Sequence, residues 1–162
     1  MFRDSFLKTS AITTEGELYL PIRELEVKRR GKKVRERRPV YPGYLFWITE
    51  EWQPEHQWAF RQVSGYLRVL GHKGIPAPLS EQDRDVLRTF MQAGSILGRS
   101  LVQFDQNQRI IVLKGPLKGL EGRIIKVDKR KNRARVRLDL YNSSFEIDFG
   151  FERLEGAAGG KT

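Results

Sequence analysis

His56 and His72 are the only histidines in a chain without cysteine. Neither has a second histidine at ligand spacing, so nothing spells out a zinc site or a general base. Disulfides, thiol catalysis and thiolate-bound metal are excluded with the cysteines. His56 stands near an expected helix start and reads as a surface residue. The sequence holds no Walker-type phosphate loop, no Ser-His-Asp candidate and no paired carboxylates. Gly115–Gly122 is glycine-rich, but it joins two strands and opens no helix, which argues against a nucleotide site. No catalytic residue, cofactor or metal is therefore expected.

The chemistry on offer is electrostatic. Thirty Lys and Arg residues against twenty Asp and Glu give a net charge of +10. A cationic surplus favours polyanion partners, because each Lys or Arg at a phosphate releases condensed counterions. The surplus is clustered. Lys126–Arg137 holds seven basic residues against one acid, and Lys28–Arg38 holds eight against one. In the first cluster Arg133, Arg135 and Arg137 alternate with Ala134, Val136 and Leu138, so the three arginines project from one face of a strand. Lys129, Arg130 and Lys131 extend that face at a turn. Such a strip can follow a phosphate backbone or read a folded RNA hairpin by shape and by Arg contacts. A solvated charged face and double-stranded DNA are the other readings. In the second cluster Arg29, Arg30, Lys32 and Lys33 surround Gly31. They face nucleic acid, or they guard a hairpin tip against edge pairing.

These strips need strands to hold them. Leu18, Leu20 and Ile22 alternate as a strand that meets a break at Pro21. Glu24–Val27 and Val34–Arg38 flank Arg30-Gly31-Lys32 as a charged hairpin. Tyr44–Ile48 is a short aromatic strand, Gln53–Gln62 a helix begun near Pro54, and Tyr66–Leu70 another strand. Ser80-Glu81-Gln82-Asp83 resembles a capping box, and Val86, Leu87, Phe90 and Met91 follow at helical spacing. Phe2–Lys8 reads as the last turns of a helix. Residues 98–108 end on a polar run and read as a linker. Beyond it come Ile110–Leu113, Arg123–Val127, Ala134–Leu140 and Phe145–Phe149, four short strands with no helix between them. Residues 156–162 look like a disordered tail.

At 162 residues, with 39% hydrophobic and 31% charged, the chain has room for two small domains. No apolar run reaches the length needed to span a bilayer, and the start lacks a signal-peptide core, so a cytoplasmic protein with no membrane partner is expected. A monomer is expected as well.

Ile111–Ile125 places a loop with three glycines and one proline between two strands, and it resembles a KOW motif. That module alone leaves ribosomal proteins and transcription elongation factors open. Pro39–Trp47 resembles the proline-glycine-aromatic strand entry of the NusG amino-terminal domain. Ser64–Gly71 and Ala77–Ser80 resemble later segments of the same domain. The resemblance covers Leu18–Glu155 and implies a bacterial NusG-type transcription elongation or antitermination factor. The implied fold is an α+β N-terminal domain, an antiparallel sheet with flanking helices, in residues 1–97. A linker then spans 98–108, and a small all-β, SH3-like KOW barrel fills 109–155. The family opens with a strand and helix before the segment matching Leu18. Only 17 residues precede that segment here, so the first strand is expected to be absent or divergent. The basic Lys126–Val136 segment resembles the KOW domain of LoaP-type antiterminators, which implies RNA contact, a leader hairpin above all. The resemblance also implies RNA polymerase binding through Tyr44, Phe46, Leu67 and Leu70, with upstream DNA beside the basic hairpin. Rho or a ribosomal protein is the alternative KOW partner, and a ribosome- or rRNA-associated KOW protein the alternative identity.

Overall fold

The computed structural model describes residues 16–155. In chain order its elements are β1 (Glu17–Tyr19), β2 (Ile22–Arg29), β3 (Lys32–Pro39), β4 (Phe46–Ile48), α1 (Pro54–Arg61), β5 (Gly71–His72), β6 (Ile75–Pro76), α2 (Glu81–Ala93), β7 (Ile96–Leu97), β8 (Ser100–Phe104), β9 (Ile110–Lys114), β10 (Ile124–Asp128), β11 (Arg133–Leu140) and β12 (Ser143–Arg153). They form two compact units. One runs up to residue 20 and resumes over 43–78; the other comprises 21–42 and the chain from 79 onward.

In the first unit β1 pairs antiparallel with β4. Leu18, Ala59, Phe60 and Val63 form its core, with Leu45, Trp47, Trp52, Tyr66 and Val69 packed around them. Pro54 presets the first helical φ of α1, where no backbone donor is needed. Residues 66–70, expected as a strand, have no ladder partner. The Val69 N–H instead donates to the Tyr66 Oη at 3.0 Å, closing the segment on itself. The neighbouring strand pair is β5–β6, whose two-residue turn puts Lys73 at φ 50° and Gly74 at φ 79°. Two successive left-handed residues are what a tight hairpin turn needs.

In the second unit β2 and β3 form the expected charged hairpin, and Arg30 and Gly31 make the same kind of turn at φ 49° and 79°. β7 adds to β2 in parallel. Ser80 caps α2 by accepting from the Asp83 N–H at 3.1 Å, as the sequence implied. The helix buries Val86, Leu87 and Phe90, and Gly94 ends it at φ 108°. The Phe90 and Phe149 ring centroids lie 5.8 Å apart. Each large side chain buried this way contributes about 1.5–3 kcal/mol.

The remaining strands form one sheet in the order β10-β11-β12-β8-β9. β11 shows the expected period of two, with Ala134, Val136, Leu138 and Leu140 buried. β8 lies inside the stretch expected as linker. It pairs antiparallel with β9 and parallel with the end of β12. Val102 and Ser100 are buried, so the polar run that read as linker begins only after Phe104. The glycine loop closes over β8. The Leu117 N–H donates to the Ser100 Oγ at 2.9 Å. Gly115 has φ 104°, and a Cβ there would stand 2.6 Å from the Ser100 Cα. Only glycine fits both conditions. The architecture is thus α+β, with a small all-β SH3-like barrel at its C-terminal end. Among the described residues no helix is long and apolar enough to cross a membrane. The Phe2–Lys8 helix, the first-strand expectation and the 156–162 tail lie outside the described residues.

Candidate nucleic-acid interface

The turn joining β10 to β11 carries Lys129, Arg130 and Lys131. Its shape is fixed from below. The Asp128 Oδ1 accepts from the Lys131 N–H at 2.9 Å, and that bond, with burial opposing it, holds the Asp128 carboxyl below its ordinary value. Arg153 Nη2 donates to the Lys129 carbonyl at 2.8 Å, and its Nε donates to the Asn132 Oδ1 at 3.1 Å. Lys129 itself turns inward. Its Nζ donates to the Gln108 Oε1 at 2.6 Å and lies 4.3 Å from the Phe104 ring centroid. Arg130 and Lys131 are exposed. A short turn held at four backbone and side-chain points presents charge in a fixed place, which lowers the entropy lost on binding.

Arg133, Arg135 and Arg137 do share the outer face of β11, but they share it with the acids of β12. The register sets Arg135 opposite Asp148 and Arg137 opposite Glu146. Arg135 grips Asp148 with two bonds, Nε to Oδ1 at 2.7 Å and Nη2 to Oδ2 at 3.3 Å. Arg137 Nη2 donates to the Glu146 Oε1 at 3.3 Å. Arg133 Nη2 donates to the Glu26 carbonyl on β2 at 2.9 Å, and its Nη1 lies 3.9 Å from Asp148. Arg23 Nη1 reaches the Asp148 carbonyl at 2.6 Å. The Asp148 carboxyl is held well below the usual carboxylate range, chiefly by the Arg135 hydrogen bond, with burial opposing. Burial depresses Arg23 most, and Asp148 raises it. Of the six strip residues, Lys129, Arg130 and Lys131 form no ion pair among the described residues, and of these Arg130 and Lys131 are exposed.

The hairpin is cationic throughout. Residues 22–39 hold nine basic residues and three glutamates. Arg29 and Arg38 pair with Glu36, Lys33 pairs with Glu26 at 2.9 Å, and Arg35 and Arg37 lie 3.7 and 3.6 Å from Glu24. Lys28, Arg30 and Lys32 are exposed at the tip and form no ion pair among the described residues.

The four apolar candidates separate. Leu67 is 90% exposed, Tyr44 and Leu70 are half-buried, and Phe46 is buried at 7%. Trp47, on the opposite face of β4, packs its ring 5.2 Å from Phe60. Trp58, expected only as an apolar position of α1, and Ile75 are also exposed in this unit. His56 is not on the surface. It is 2% exposed, its ring lies 5.2 Å from Trp47 and 5.4 Å from Trp52, and its Nδ1 accepts from the Gln53 N–H at 3.1 Å. A side-chain acceptor three residues into a helix satisfies an orphan donor at its start, so the imidazole is part of the α1 cap. Among the described residues no group of three or more His, Asp or Glu could hold a metal ion.

An α+β part followed by a KOW-type barrel is the class this fold defines. The family described as transcription termination factor nusG matches residues 3–88, and the KOW motif matches residues 106–138. The transcription termination/antitermination protein NusG of Neisseria meningitidis serogroup B is 24% identical over 144 residues, spanning 86% of this chain and 79% of that protein. The protein of the same name from Borreliella burgdorferi is 26% identical over 144 residues, with 83% and 77% covered. That from Xylella fastidiosa is 26% identical over 149 residues, with 86% and 80% covered. The first family match spans more than half of the chain, and the chain belongs to the NusG family.

Proposed function

We propose that this protein is a transcription elongation or antitermination factor that works by binding alone. Its N-terminal domain, residues 1–97, would hold RNA polymerase, with Leu67 as the leading apolar anchor and Tyr44, Phe46 and Leu70 around or beneath it. Its KOW barrel, residues 109–155 completed by the Ser100–Phe104 strand, would capture RNA through the 129–131 turn, with Arg133, Arg135 and Arg137 behind it. In the finer, LoaP-like form of this reading the RNA is a leader hairpin. The hairpin tip, Arg29, Arg30, Lys32 and Lys33, would face upstream DNA. The observation that carries the reading is the fixed turn: Arg130 and Lys131 project from a loop that Asp128 and Arg153 hold in one shape. Two tethered contacts make the second effectively intramolecular, which suits a factor that stays with a moving polymerase.

One observation favours a second reading. Glu146 and Asp148 neutralise much of the arginine face. A face of alternating charge suits a protein partner such as a ribosomal protein or Rho, and the chain would then be a general NusG-type factor. Two measurements separate the possibilities. Pull-down with polymerase core tests the N-terminal contact, and its absence with the full chain sinks the reading. Sequencing of RNA crosslinked to the protein in cells tests the second contact. One enriched hairpin marks a specialist, and scattered nascent RNA marks the general factor.

A further inference from the structure

Several elements of the second unit meet at a cationic cleft. Arg99, Lys131 and Arg133 line it, with Glu26 and Gly150 between them. Arg99 enters from the β7–β8 junction, Lys131 from the turn, Arg133 from β11 and Glu26 from the basic hairpin. Arg99 was not among the residues the sequence singled out. Its guanidinium pairs with Glu152 and lies 4.0 Å from Glu26. The single carboxylate lining the cleft is already engaged, since Glu26 also pairs with Lys33 at 2.9 Å. The Lys131 ammonium forms no ion pair among the described residues. The Arg133 side chain is only 20% exposed, and its Nε is buried with no hydrogen-bond partner among the described residues. A buried donor without an acceptor costs about 1–3 kcal/mol. It marks a place where a ligand acceptor is worth more than on open surface. Gly150 keeps the cleft passable: a Cβ there would stand 3.1 Å from the Arg99 Cγ.

We propose that this cleft between β2 and β12 is a phosphate-binding site, with Arg99, Lys131 and Arg133 as its ligands. Two guanidiniums and an ammonium approaching from three elements suit a tetrahedral oxyanion, whose oxygens can accept from all three at once. On the reading above, on which this part rests, the phosphate is one link of a bound RNA backbone. Its neighbour then passes the exposed Arg130. A phosphate held here touches hairpin and barrel together, so the seam becomes part of the RNA path.

The test uses the full chain and side-chain NMR of its arginine Nε–H and lysine ammonium groups. Inorganic phosphate and a short RNA hairpin are titrated separately. The expected result is that both move the Arg99, Lys131 and Arg133 signals, with RNA acting at lower concentration. Gly150→Ala, which shifts Arg99 without removing charge, and Arg99→Gln should each weaken the phosphate response. Arg99→Gln should also weaken RNA binding, with a loss about threefold larger at 50 mM than at 200 mM salt, the signature of about one phosphate contact removed. Arg99→Lys should restore part of it. A urea melt confirms that each variant folds. The cleft is overturned if RNA moves the Arg130 and Arg137 signals and leaves Arg99 and Arg133 still; RNA binding then survives elsewhere on the barrel. It is equally overturned if neither titrant moves them. If phosphate moves all three signals and RNA binds nowhere, the cleft stands as a site for free phosphate and the RNA reading falls.

Discussion

Asp148→Asn separates a binding role for the arginine face from a structural one. Asp148 is the one carboxylate within reach of both Arg133 and Arg135, at 3.9 Å from the first and doubly bonded to the second. The amide keeps the size and one acceptor but removes the charge. If Arg133 and Arg135 contact RNA, its phosphates must compete with Asp148 for them, and the variant removes the competitor. The expected outcome is tighter RNA binding and a steeper salt dependence. Each cation newly free to neutralise a phosphate steepens the slope of log K against log salt by about 0.7–0.9, or about threefold in affinity between 50 and 200 mM. With both arginines released the effect doubles on the logarithmic scale. Fluorescence anisotropy of a labelled hairpin across that salt range reads it directly. Stability supplies the internal control. The Asp148 carboxyl is depressed in the folded chain by its Arg135 hydrogen bond. A depressed carboxyl stabilises the fold above its ordinary value near 4 and loses that contribution as pH falls through the folded value. Urea melts should therefore show wild type losing stability below about pH 5 more steeply than the variant. A flatter acid limb with unchanged RNA affinity and salt slope would refute the binding role and leave the arginines as a clasp of the fold.

Other outcomes follow from the same geometry. Ser100→Ala leaves the Leu117 N–H without its acceptor in a buried place, and should lower stability by about 2 kcal/mol in urea unfolding. Gly115→Ala should cost more, since it adds both left-handed strain and backbone overlap with Ser100. Leu67→Asp should weaken polymerase binding with no change in melting, whereas Phe46→Ala should cost about 3–5 kcal/mol of stability, because Leu67 is exposed and Phe46 is buried. The pair Arg30→Gln and Lys32→Gln should lower affinity for a DNA duplex and flatten its salt slope by up to about 2 at unchanged stability, both side chains being exposed at the hairpin tip.

What the sequence disclosed follows the range of the interactions concerned. Local signals carried far: the Arg30-Gly31 turn, the Ser80 cap and the alternation of β11 each depend on neighbours a few residues away. The cross-strand charge pairing rests on the same local alternation. Once β11 and β12 are joined through the two-residue turn at Tyr141-Asn142, the alternation of Glu146 and Asp148 sets each opposite an arginine. β8 was hidden because its partners are remote; Ser100 bonds to residue 117 and pairs with Phe151. The 66–70 segment has the composition of a strand but no neighbouring edge to join, and composition cannot report that. His56 shows the same limit. A lone polar residue near a helix start looks exposed until Trp47 and Trp52, from outside the helix, enclose it.

The parallel pairing of β8 with the end of β12 has a consequence in time. Chain leaves the ribosome from its N-terminus, and Ser100 must wait for Phe151 before its outer edge is covered. Glu26 waits longer still: its carbonyl meets Arg133, 107 residues downstream. Closing such spans is slow compared with local turns. During synthesis the β2–β3 hairpin is therefore made early and stays uncovered until nearly all of the chain has emerged. A fragment cut anywhere in 98–108 would hold it in that unfinished state, with Leu25 and Arg23 facing water instead of the barrel.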